Sequence, residues 1–126
     1  MIIKKIREGY IDVPIISVED NIQRGIYIMV VNGKIRKVGI FGEGVNSNSK
    51  KRFAGYRNSG KYLKPGNGSY KTMKVLNENL KVGDEIEVRF QKAPENKVID
   101  GIIYSANLYI MEKLLKNKYK KSLWLT

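Results

Sequence analysis

Tyr27, Lys37, Arg52 and Glu112, with Tyr56 four residues after the arginine, are the side chains of this sequence best suited to act on a phosphate. A phenol can orient or deprotonate water. An ammonium can neutralise developing charge, and a guanidinium offers a planar fork that suits phosphate oxygens. A carboxylate is a ligand for a hard cation such as Mg2+ or Mn2+. The 126 residues contain no histidine and no cysteine. That removes a histidine general base, a Ser-His-Asp triad, a thiolate nucleophile, disulfides and His- or Cys-ligated metals. Any catalysis here must use Tyr, Lys, Arg and carboxylates.

Charge points the same way. Lysine and arginine number 24 against 12 acids, a formal net charge of +12, which is the electrostatic footprint of a polyanion binder. Between Gln23 and Leu76 the one acid is Glu43, and beyond Gly101 the one acid is Glu112. Lys34, Arg36, Lys50, Lys51, Arg57, Lys61 and Lys64 are the candidate nucleic-acid contacts of the first block. No apolar run is long enough to span a bilayer, and Met1–Arg7 is too interrupted by charge for a secretory leader. A cytoplasmic protein with no membrane partner is expected.

Elements must position these residues. Gly25–Val31 reads as a strand, Asn32-Gly33 is a strong hairpin signal, and Lys34–Phe41 returns as a second strand. Tyr27 and Lys37 then lie roughly opposite each other and can share a face. Asn48 or Ser49 can cap a helix that begins near Lys50 and ends before Gly60. Arg52 and Tyr56 are neighbours on one face of that helix. Ile11–Val18 is an edge or lead-in segment, because Pro14 cannot donate to a ladder. Tyr70–Leu80 carries a helical apolar pattern, and Glu85–Phe90 alternates as a half-buried strand. Apolar residues 104, 108, 111 and 115 form a helical stripe from Tyr104 to about Lys118, with Glu112 at its border. The order β-β-α-α-β-α predicts a small α/β (α+β) domain with a mostly antiparallel sheet.

The ordered set Gly25-Ile-Tyr27, Lys37-Val-Gly39, Arg52-Phe-Ala-Gly-Tyr56 and Glu112 resembles the GIY-YIG nuclease family over residues 24–119. The resemblance implies a single domain over residues 1–126, with residues 1–24 as an N-terminal extension. The core, at about 24–119, would hold a three-stranded antiparallel sheet flanked by helices. It implies a metal-dependent endonuclease acting on double-stranded DNA, with Tyr27 as general base, Arg52 as clamp on the scissile phosphate and Glu112 as ligand to Mg2+ or Mn2+. Lys37 stands where the family's second tyrosine is usual, a substitution that certain restriction enzymes of the family share. It would orient water, lower the pKa of Tyr27 or neutralise the transition state. The stretch from Gly39 to Arg52 is longer than usual, which leaves Lys51 and Arg57 as competitors for the place of Arg52. The family's late asparagine has no match.

A stand-alone bacterial or phage enzyme of the restriction or DNA-degrading kind follows from the resemblance. Specificity would come from loops such as 42–49 and 62–69. A double-strand cut would be made by a homo-oligomer or by successive nicks. Each residue also has a plainer explanation. Tyr27 can be a buried strand aromatic, Tyr56 a cap on the core edge, Lys37 and Arg52 surface cations, and Glu112 the partner of Lys116 one turn on. The matching functional alternative is a basic nucleic-acid-binding module, inactive or unrelated to the family.

Overall fold

Asn32 and Gly33 both take positive φ, 50° and 76°. That is the turn geometry whose twist matches two antiparallel strands, and it frames the molecule. The computed structural model describes residues 1–44, 47–62 and 69–125, with Tyr62 by its backbone alone. Its elements are β1 (Ile2–Arg7), β2 (Tyr10–Asp12), β3 (Gly25–Val31), β4 (Lys34–Phe41), α1 (Ser49–Tyr62), α2 (Tyr70–Asn79), β5 (Glu85–Lys92), β6 (Lys97–Ile99), β7 (Ile102–Tyr104) and α3 (Leu108–Tyr119). Strands β2-β1-β5-β3-β4 form one antiparallel sheet in that order, and β6 and β7 form a separate hairpin.

The main sheet has five strands where three were expected. Residues 1–24, expected as an extension, supply β1 and β2, and Ile3 and Ile11 are buried in the core. One inward lysine hides this in the sequence. Lys5 is 1% exposed, and its Nζ donates to the carbonyls of Asn77 (2.7 Å) and Leu80 (2.8 Å) and to Glu8 (3.0 Å). It thereby satisfies orphan carbonyls at the C-terminal end of α2. A strand that reads as charge-interrupted is therefore an ordinary alternating strand with a lysine used as a helix cap.

Two element ends also differ from expectation. Helix α1 runs through Gly60, because a bare Cα lets it pass where a Cβ would lie 2.8 Å from the Ile11 carbonyl oxygen and from the end of Met73. Tyr104 closes β7 instead of opening the last helix, which starts at Leu108 where Asn107 Oδ1 accepts from Ile110 N (3.2 Å). Of the main sheet's two faces, one is covered by α1 and α2, closing Tyr27, Met29 and Val31 against Phe53, Tyr56, Met73 and Leu76. The other packs Ile26 and Val38 against Leu108, with Met111 and Leu115 beside them. Among the described residues, no helix is long and apolar enough to cross a membrane.

Candidate active site

The register of β3 on β4 decides what meets Tyr27. Pairing runs Val31↔Lys34 and Val30↔Ile35, then jumps to Met29↔Lys37, Ile28↔Val38 and Tyr27↔Gly39, so Arg36 is one residue too many. Were Arg36 paired in regular register, without this bulge, a two-residue turn would set Val38 opposite Tyr27. With it, Gly39 lies under the phenol, and a Cβ there would stand 2.2 Å from Tyr27 Cζ and Oη. Lys37 is thus not opposite Tyr27 but one same-face position nearer the turn, paired with Met29.

Helix α1 brings the next two residues. Its N-terminus is fixed by Asn48 Oδ1, which accepts from Lys51 N, and by Asn21 Oδ1, which accepts from Lys50 N and from Ser49 Oγ, each at 2.9 Å. From that anchor Phe53 and Tyr56 turn inward. Tyr27 packs edge-on against Phe53 at 5.1 Å and Tyr56 at 6.0 Å between ring centroids. The hydroxyls of Tyr27 and Tyr56 are hydrogen-bonded to each other, and the Arg52 guanidinium lies 4.7 Å from the centre of the Tyr56 ring. The Nε of Arg52 is buried without an acceptor.

The electrostatics follow from this packing. Tyr27 is 0% exposed, and burial, reinforced by Tyr56, raises its pKa well above the ordinary phenol value, against the opposing pull of Arg52. Burial also opposes the charge on Arg52, but the two phenols more than offset it, so the guanidinium stays ionised. Lys37 is lowered to about 8, first by burial and then by the charges of Lys116 and Arg52, with Glu112 opposing. Lys37, Arg52, Glu112 and Lys116 therefore share one electrostatic neighbourhood. Glu112 is 22% exposed on α3, and Lys116 Nζ stands 3.7 Å from its Oε1.

No group of three or more acids able to hold a metal occurs among the described residues. Glu112 alone fits a hard cation of the Mg2+ type, which takes one or two carboxylates and fills its remaining positions with water and phosphate oxygens.

Arg52 also lines a cleft of about 200 Å3, shared with Ile40, Phe41, Glu43, Gly44, Ser47 and Tyr109. Tyr27, Lys37 and Glu112 are not among the described residues that line it. A larger hollow of about 360 Å3, walled by Met1, Pro14, Ile15, Ile16, Asp20 and Phe90, holds none of the candidate residues. Beside the Arg52 cleft, Arg24 Nη2 donates to Glu43 (2.6 Å) and to the Ala106 carbonyl (2.9 Å), tying the loop after β4 to the lead-in of α3. Glu43 and Tyr109 were not singled out as site residues from sequence, whereas Lys116 was read there as the partner of Glu112 one turn on, the pair that forms. Glu43 was legible as the lone acid of its block, but Tyr109 is set beside the site by tertiary packing.

The basic candidates divide. Lys34, Lys51 and Lys61 are exposed, and Arg57 is half-buried. Lys50 Nζ donates to the Ile16 carbonyl (2.6 Å). Arg36 donates to the Ser122 carbonyl (2.9 Å) and stacks 4.9 Å from the centre of the Trp124 ring, holding the segment after α3. Lys64 lies outside the described residues.

No protein-family model matches the sequence, and no curated protein does. Among solved structures, the fold is similar to that of a mutant of bacteriophage T4 EndoII, with a TM-score of 0.65 and 15% identity. The match covers 95% of this chain and 85% of that one. At such identity the likeness establishes the fold, and function has to be argued from the site.

Proposed function

We propose that this chain is a divalent-metal-dependent endonuclease of the GIY-YIG type, hydrolysing phosphodiester bonds in double-stranded DNA. The observation that carries the reading is the meeting of Tyr27, Tyr56 and Arg52, two joined hydroxyls under one guanidinium, beside a cleft that Arg52 lines. The likeness of fold to EndoII, an endonuclease by name, supports it, as does a net charge of +12.

In this reading Arg52 holds the scissile phosphate and stabilises the charge that builds on its oxygens. Tyr27 and Tyr56, both buried, hold the Arg52 guanidinium in place through their paired hydroxyls. Burial holds the Tyr27 pKa well above the ordinary phenol value despite the opposing pull of Arg52, so this phenol keeps its proton. Lys37, lowered to about 8, is uncharged in roughly a tenth of molecules at pH 7 and is the group able to accept the proton. Glu112 would hold Mg2+ or Mn2+, which supplies charge neutralisation at the phosphate and acidification of water.

The test is plasmid nicking with Mg2+ or Mn2+. Glu112→Gln and Tyr27→Phe are expected to lower cleavage by about 100-fold or more while keeping salt-dependent DNA binding. Arg52→Ala should cost cleavage more than binding. The burial of Tyr27 favours the second reading, an inactive binding module. That reading takes over if the wild type binds DNA yet nicks none with either metal.

A further inference from the structure

We propose that residues 122–124, just after α3, are a clamp that chooses which residue of β4 bulges and thereby keeps Lys37 on the same side of the sheet as Tyr27. Ile35, Arg36, Lys37 and Val38 face only Val30, Met29 and Ile28, so one of the four is left unpaired. Gly39 under the Tyr27 ring fixes that surplus, but not the residue that takes it. With Arg36 as the extra residue, Lys37 pairs with Met29. Were Lys37 or Val38 the extra one, Arg36 would stand opposite Met29 and Lys37 would leave its place.

The choice is made from outside the sheet. Strand β4 lies at its edge, with no described strand beyond. A regular strand turns successive carbonyls toward opposite neighbours, yet one segment takes two in a row here. The Ser122 hydroxyl donates to the carbonyls of Ile35 (2.9 Å) and Tyr119 (3.1 Å), and Trp124 N donates to the Arg36 carbonyl (2.9 Å). The Arg36 guanidinium returns a hydrogen bond to the Ser122 carbonyl and lies over the Trp124 ring. Leu123 packs on the α3 face of the sheet and Trp124 against the core of the other face, so the segment straddles the edge. Carbonyls freed at a bulge need partners, and these are the ones supplied. Both belong to the backbone, so the clamp reads position along β4 more than side chain.

The same residues are tied to α3. Ser122 N and Leu123 N both donate to the Tyr119 carbonyl, at 2.9 and 3.3 Å. Helix α3 buries one residue, Leu108, at its first position, so its far end is set against β4 through the clamp. Residues 122–124 are thus positioning residues for Lys37. That Lys37 then serves cleavage rests on the nuclease reading, whereas the choice of bulge does not.

The test sets the double variant Ser122→Ala with Trp124→Ala beside Ser122→Thr with Trp124→Phe, which keeps the hydroxyl and a ring. Amide hydrogen exchange and cross-strand nuclear Overhauser contacts, read residue by residue without DNA or metal, report the register. The double alanine variant is expected to lose the contact between Met29 and Lys37. Its amides at 35–38 should exchange about tenfold faster, with β1 and β5 unchanged, and the conservative pair should restore the wild-type pattern. Ser122→Ala alone removes little apolar area and should give a smaller shift at the same residues, which keeps the test open if the double variant does not fold. A Met29–Lys37 contact that survives in these alanine variants overturns the clamp. So does an equal loss of protection in every strand, the mark of a role in stability alone. Plasmid nicking is read separately, with turnover expected to fall about tenfold and DNA affinity to stay within about twofold. Unchanged turnover in a variant whose register has slipped counts against Lys37 in the reaction, and a wild type that nicks nothing counts against the nuclease reading. Neither touches the exchange result, which alone decides the clamp.

Discussion

On one side of the β3–β4 hairpin, Tyr27 and Met29 are closed under Phe53, Tyr56, Met73 and Leu76. On the other, Ile26 and Val38 pack against Leu108, the one buried residue of α3, with Met111, Leu115 and Leu123 among the partly buried residues beside them. The candidate site draws on both sides. Tyr27, Tyr56 and Arg52 belong to the deep side, where rings interlock and a hydroxyl pair is sealed from water. Glu112 belongs to the shallow side, on a helix whose inner face is short and whose outer face is bare. The lesson is one of rigidity. The half that holds Arg52 is fixed by the core, so its changes are expected to be changes of stability, whereas Glu112 sits on a helix with one buried residue, Leu108.

Four substitutions test that contrast, measured as unfolding free energies by chemical denaturation. Phe53→Ala removes the ring that touches Tyr27, Tyr56 and Phe90 and should cost about 4 kcal/mol. Gly39→Ala should cost about 3 kcal/mol, because its Cβ meets the Tyr27 ring and fixed backbone leaves the phenol little room to move. An unchanged midpoint would mean that Tyr27 has another place to go. Leu108→Ala on the shallow side should cost less, about 2 kcal/mol. Parity with Phe53→Ala would erase the contrast.

Lys37→Met is the smallest effect and has the opposite sign. With its pKa lowered to about 8 from an ordinary 10.5, Lys37 sheds its proton in the folded state before the unfolded chain does. Burying the ammonium therefore costs stability below pH 8, and this cost is relieved as pH rises from 8 to 10.5. Lys37→Met should stabilise the protein by about 1–2 kcal/mol at pH 7, with the gain shrinking across that window. A pH-independent difference would show that Lys37 ionises normally.

What was legible in the sequence is local. Asn32-Gly33 specifies its own turn, and the spacing of Arg52 and Tyr56 is a helical neighbour rule, so β3, β4 and the inward face of α1 follow from residues within a few positions of one another. What was not legible depends on distant partners. Lys5 makes β1 read as polar until the end of α2 is brought to it. Tyr104 and Leu108 share a helical spacing by coincidence, which masked the Asp100-Gly101 turn between two short strands. The charges that weaken Lys37 come from α1, α2 and α3, and no periodicity within β4 reports them.

The extra residue at Arg36 makes this hairpin sensitive to length more than to spelling. A substitution at Lys34, Ile35 or Arg36 changes one side chain, but one residue added among them, with the bulge kept, slides the rest of β4 by one place. Val38 would then stand where only Gly39 fits, and Lys37 would turn to the opposite side of the sheet. Chains that share this arrangement are expected to vary freely in letters between the turn and the glycine while gaining no residue there.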